Sequence, residues 1–100
     1  MYMESNDIIK KLHISLPEFN EIGVTRLAVF GSVARGDNTQ NSDIDILIRM
    51  SPEKKTFDNF MDVKFMLEDM FPESRIDLVL ENTLKPAIKD RVLAEAEDVA

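Results

Sequence analysis

Apolar positions along the chain switch between two spacings. Over residues 6–12, Ile8, Ile9 and Leu12 recur at the three-to-four interval of a helix, and Leu16–Ile22, opened by Pro17, reads as a second short helical segment. Residues 25–30 (Thr-Arg-Leu-Ala-Val-Phe) form a largely apolar run that stops at Gly31, which predicts a strand. Residues 32–35 have room for one helical turn, and 36–42, rich in Asp, Asn, Thr and Gln, for a loop. Ile44–Met50 alternates: Ile44, Ile46, Ile48 and Met50 share one face, while Asp43, Asp45, Leu47 and Arg49 share the other. Ser51-Pro52 ends it. Residues 57–71 return to helical spacing, with Thr56 as cap, Phe60, Val63, Leu67 and Met70 as the apolar stripe, and Pro72 as the stop. A third strand over 75–80 and a closing helix over 86–99, with Ile88, Val92, Ala96 and Val99 on one face, complete the pattern. The expectation is an α/β fold in a single domain over residues 1–100, its helices covering a mixed sheet of about three or four strands.

Composition narrows the chemistry. The chain has no cysteine, which removes disulfides, thiolate zinc sites and cysteine nucleophiles together. A single histidine, His13, is too few for an imidazole-built centre, so any metal must be held by oxygen, as Mg²⁺, Mn²⁺ or Ca²⁺ are. Nineteen acids against twelve bases give a net charge of −7, a surface that repels a phosphate backbone and argues against broad nucleic-acid binding. Small anionic substrates then need a cation between them and the protein. No apolar run approaches the ~20 residues of a membrane span, and the acidic N-terminal stretch (Glu4, Asp7) lacks the apolar core of a secretion signal, so a cytoplasmic protein is expected.

The chemistry concentrates at two places. Phe30-Gly31-Ser32 is a strand running into glycine and then a helix start, where backbone can approach a phosphate and amides and the Ser32 hydroxyl can donate to it. Such junctions are common, so alone this is a weak signal. In Ser42-Asp43-Ile44-Asp45, two aspartates at i and i+2 on a strand project from one face, where their oxygens can converge on one or two hard cations. A plain solvent-facing strand would also carry two acids, but Ile44, Ile46, Leu47 and Ile48 predict a strand buried on both faces at its centre. Like charges at its start are costly unless a cation compensates them. A third acid, Asp77, interrupts the apolar run 75–80; its ordinary explanation is an ion pair with Arg75 on the same face.

Taken together, Gly31-Ser32, ten residues, then Asp43-x-Asp45 resembles the signature of the DNA polymerase beta-type nucleotidyltransferase superfamily. The fuller run Gly31-Ser32-Val33-Ala34-Arg35-Gly36, five residues, then Ser42-Asp43-Ile44-Asp45 is similar to the minimal nucleotidyltransferases of prokaryotes, over nearly the whole chain. The resemblance implies a polymerase beta-like fold and a nucleotide triphosphate, ATP, held by Gly31 and Ser32. It implies two Mg²⁺ ions on Asp43 and Asp45, with Asp77 completing the site at the incoming hydroxyl, and a lesser part for Arg35 in steadying the loop or touching phosphate. Larger relatives append helical domains that bind their acceptors, so here the acceptor would come from another protein. The resemblance points to a helical toxin of the higher eukaryotes and prokaryotes nucleotide-binding (HEPN) class encoded nearby. This chain would be the antitoxin, transferring AMP to a tyrosine of that toxin. The rival reading is an antitoxin that neutralises by contact alone, without catalysis.

Other residues have ordinary explanations. His13 reads as a surface or capping residue, Tyr2 as part of a frayed terminus, and Lys54-Lys55 as a solvated loop. Phe57, Phe60, Met61, Phe65, Met66, Met70 and Phe71 make a wide apolar helix, mostly core, whose outer edge could meet a partner or a second copy in a homo-oligomer. Asp58, Asp62, Glu68 and Asp69 are its wet side.

Overall fold

The structure is a computed structural model that describes residues 3–99. Two helices, α1 (Ser5–Ile14) and α2 (Leu16–Ile22), lead into strand β1 (Val24–Phe30), which runs without a break into the short helix α3 (Gly31–Arg35). After the loop come β2 (Ile44–Met50), α4 (Phe57–Met70), β3 (Ile76–Leu80), α5 (Pro86–Glu95) and a two-residue strand β4 (Glu97–Asp98), with single 3₁₀ turns at Pro52–Lys54 and Glu81–Thr83.

The four strands form one mixed sheet in the order β3-β2-β1-β4. β1 pairs antiparallel with both β2 and β4, and β2 pairs parallel with β3. A parallel pair cannot be joined by a tight turn, and α4 supplies the crossover between β2 and β3. Its start is fixed locally, because the Thr56 side chain accepts a hydrogen bond from the Asn59 amide, as its place before the apolar stripe predicted.

Side-chain alternation decides the layers. Leu27 and Val29 of β1, with Ile44, Ile46, Ile48 and Met50 of β2 and Ile76 of β3, pack against Leu12 of α1, Phe19 of α2, Val33 of α3, and Val63 and Leu67 of α4. The opposite parity is also inside at the centre, since Ala28 and Leu47 are fully buried. β2 is therefore covered on both faces in the middle and opens only at its ends, through Asp45 and Arg49.

The C-terminus departs from the expected helix over 86–99. The helix stops at Glu95, Ala96 turns extended (ψ 138°), and Glu97 and Asp98 lie against Val29 and Ala28 as the edge strand β4. Helical spacing of Ile88, Val92, Ala96 and Val99 is outweighed by the open edge of β1, which offers hydrogen bonds such as that from the Val99 amide to Leu27 O (3.0 Å). Arg26 then holds Asp98 (Nε to Oδ1 2.7 Å), and Val99 enters the core.

Helix α4 buries the expected stripe: Val63 and Leu67 are fully buried and Phe60, Met66 and Met70 pack against the core, while Phe57 and Phe65 on the outer edge stand in solvent. No helix among the described residues is long and apolar enough to cross a membrane.

Candidate active site

Chain direction gathers the chemistry-bearing residues at one end of the sheet. β1 ends at Phe30 where β2 begins, and β3 begins beside them. In register, Asp45 stands opposite Phe30 on one side and Asp77 on the other. Asp43 directly precedes β2, whose start is pinned by the hydrogen bond from the Ile44 amide to Arg75 O (2.9 Å). Asp43 and Asp77 are exposed, whereas Asp45 is partly withdrawn between its neighbours.

Gly31 makes that arrangement possible. Its backbone is left-handed (φ 66°), a conformation that costs side-chain-bearing residues roughly 1–2 kcal/mol. A Cβ placed there would come within 3.2 Å of Asp45 Cγ and closer still to Oδ2, where no real contact exists. The Asp45 carboxylate thus occupies the space left by the missing side chain, with Ser32 next in line on the first turn of α3. That helix ends after Arg35 at Gly36, also left-handed (φ 80°).

Electrostatics mark Asp45 out from its neighbours. Burial, then the charge of Asp77 and a hydrogen bond with it, then the charge of Asp43, push its carboxyl up from 3.8 to about 6; Arg35 opposes them more weakly. Arg75 does not offset the repulsion, since no Arg75–Asp77 ion pair forms among the described residues and the expected ordinary partner is absent. Arg35 itself is engaged elsewhere. It pairs with Asp37 (3.2 Å) and with Glu95 of α5, so it ties α3 to α5 at the rim of the site.

No group of three or more His, Cys, Asp or Glu side chains among the described residues converges closely enough to hold a metal ion as it stands. The donors nevertheless suit a hard divalent cation in kind, being carboxylates throughout, and Asp45 and Asp77 already share a hydrogen bond. Beside Asp43 a cleft of about 490 Å³ runs under the 38–43 loop, between Lys11, Asn38, Ser42, Phe71 and Glu73; Asp45 and Asp77 lie outside its wall. Lys11 closes one side by donating to Met70 O and lying 5.1 Å from the centre of the Phe71 ring.

Other singled-out residues lie apart from the acids. His13 is exposed, with Nδ1 3.2 Å from Val99 O, and Lys54 donates to Glu21 O (3.0 Å). Tyr2 lies outside the described residues. Sequence reading missed Glu81, buried to 6% exposure between Arg26 (3.0 Å) and Arg49 (2.5 Å). Its partners stand far from it in the chain, so no local motif announces it.

The Gly31 turn thus closes onto Asp45, which faces Asp77 across the adjacent strand. Residues 9–99 match the family described as Polymerase beta, Nucleotidyltransferase, and the chain belongs to that family. It is 36% identical over 97 residues to a candidate protein adenylyltransferase of Methanocaldococcus jannaschii, covering 97% of this chain and 99% of that one. It is 37% identical over 73 residues to protein adenylyltransferase MntA of Thermococcus cleftensis, covering 73% and 72%. Among solved structures it resembles a candidate minimal nucleotidyltransferase at TM-score 0.84 and 31% identity, covering 96% of both chains, which carries the fold. A toxin–antitoxin structure with AMP-PNP shares the fold at TM-score 0.66 and 22% identity, covering 98% of this chain and 73% of that chain.

Proposed function

We propose that this nucleotidyltransferase is a Mg²⁺-dependent protein adenylyltransferase that moves AMP from ATP to a hydroxyl, a tyrosine, of a HEPN-type toxin and acts in the cytoplasm as the antitoxin. The observation that carries the reading is Asp45, held against Gly31 and Asp77 with its carboxyl pushed up to about 6, a cluster built for a positive charge. The toxin part rests on the relatives named as protein adenylyltransferases and on the likeness to a toxin–antitoxin structure.

In this reading Gly31 and Ser32 hold the triphosphate through backbone amides and the Ser32 hydroxyl. Asp43, Asp45 and Asp77 would hold Mg²⁺, up to two ions, which when bound supplies charge neutralisation at the phosphates. The acceptor hydroxyl oxygen forms a bond to the α-phosphorus of ATP as the bond from that phosphorus to pyrophosphate breaks. Asp77 receives the hydroxyl proton and pyrophosphate carries away the electron pair. Arg35 steadies the turn after Ser32 through Asp37 and Glu95.

The test is to mix the purified protein with ATP, Mg²⁺ and the helical protein encoded beside its gene, and to record the partner's intact mass. A rise in AMP-sized steps, lost on chelation and in Asp43→Asn/Asp45→Asn, is the expected result. A stable complex that silences the toxin with no mass change overturns the catalytic reading in favour of neutralisation by contact.

A further inference from the structure

Helix α4 carries an apolar line that the fold does not use. Val63 and Leu67 turn into the core, but Phe57, Met61 and Phe65, at i, i+4 and i+8, run along the outer side. Phe57 is 76% and Phe65 54% exposed, on a helix packed against the sheet face away from Asp45 and Asp77. Beside this line run Asp58, Asp62 and Asp69, and Glu68 closes its end; all four are exposed. None of the four takes part in an ion pair among the described residues, and Lys64 is the helix's one base. Two large aromatics in water beside a row of uncompensated carboxylates make a surface complementary to one kind of object: a helix with an apolar ridge and a basic flank. A second copy of this chain fits poorly, because it would bring the same acids against the row and a further net charge of −7.

We propose that the outer face of α4, through Phe57, Met61 and Phe65 with Asp58, Asp62 and Asp69, docks an amphipathic helix of a partner protein bearing a Lys/Arg flank. This rests on the adenylyltransferase reading only in that such an enzyme needs a separate protein acceptor. Docking on the far side of the sheet leaves the acids free to work.

The test titrates the full chain into two fluorescently labelled synthetic helices of about 18 residues, about five turns. Both have the same leucine ridge and no hydroxyl side chains; one is flanked by lysine and the other by glutamate. The lysine-flanked helix is expected to bind at least about tenfold more tightly. Its affinity should drop about tenfold both in Phe57→Ser/Phe65→Ser and in Asp58→Asn/Asp62→Asn/Asp69→Asn, with circular dichroism and Tm unchanged. Asp43→Asn/Asp45→Asn should bind like wild type, so a failure of the catalytic reading leaves this outcome intact. Equal binding of both helices overturns the proposal, as does lysine-flanked binding indifferent to the phenylalanines. Self-association that disappears in Phe57→Ser/Phe65→Ser overturns it in favour of a second copy.

Discussion

Replacing Asp45 by asparagine should stabilise the metal-free protein while destroying transfer. With the carboxyl pushed up from 3.8 to about 6, holding Asp45 ionised above that range costs about 3 kcal/mol at about 1.4 kcal/mol per pH unit. Because the folded state binds this proton more tightly than the unfolded chain does, Asp45 favours folding most below about pH 4. Its contribution then falls as pH rises from about 4 to about 6, and the loss is complete above that. The substituted asparagine is neutral throughout and keeps the shape. Solvent reaching the partly exposed group screens part of the penalty, which leaves an expected gain of about 1–2 kcal/mol, or roughly 5–15 °C in Tm, at pH 7.5. Thermal unfolding in chelator, from pH 4 to pH 8, should show the two curves meeting at the acid end and separating above about pH 5. Added Mg²⁺ should then raise the Tm of the wild type much more than that of the variant. An Asp45→Asn protein that is no more stable than wild type at pH 7.5, or whose advantage does not change with pH, would refute the reasoning.

Gly31→Ala must take up a left-handed backbone and displace the Asp45 carboxylate; it should cost about 1–3 kcal/mol by denaturant titration and abolish AMP transfer. Leu67→Ala, at a fully buried position of α4, should lower stability by about 2–5 kcal/mol with residual activity at permissive temperature. Arg49 first, and Arg26 with it, hold the Glu81 carboxyl below its usual value, so its contribution is present above about pH 4.5 and lost on acidification. Urea midpoints should accordingly fall less steeply below pH 4.5 in Glu81→Gln than in wild type, from a lower starting value at pH 7.

Much of this was readable because the decisive signals are local. The alternation in Ile44–Met50 set the isoleucines and Met50 against the core and Asp45 and Arg49 on the other face, as the structure shows for these strand residues. The turn at Phe30-Gly31-Ser32 and the cap at Thr56 were equally local. What escaped depends on distant partners. Two residues, Glu97 and Asp98, carry no strand periodicity and become a strand only because β1 has an unfilled edge. Glu81 reads as an ordinary surface acid until Arg26 and Arg49 arrive from two different strands. The pairing of Asp45 with Asp77, likewise, follows from a parallel register that spacing alone does not reveal.

That register has a consequence for how such a protein can change. Asp45 and Asp77 meet because residue 45 faces residue 77 across a ladder in which side chains alternate. A slip of one residue would turn Asp77 toward the helices and put Leu78 in its place, with every backbone hydrogen bond restored. Residues gained or lost between Phe71 and Ile76 are therefore tolerable only when the turn absorbs them completely. Substitutions can be tried one at a time around this centre, but changes of length there are tolerated or ruinous with little between.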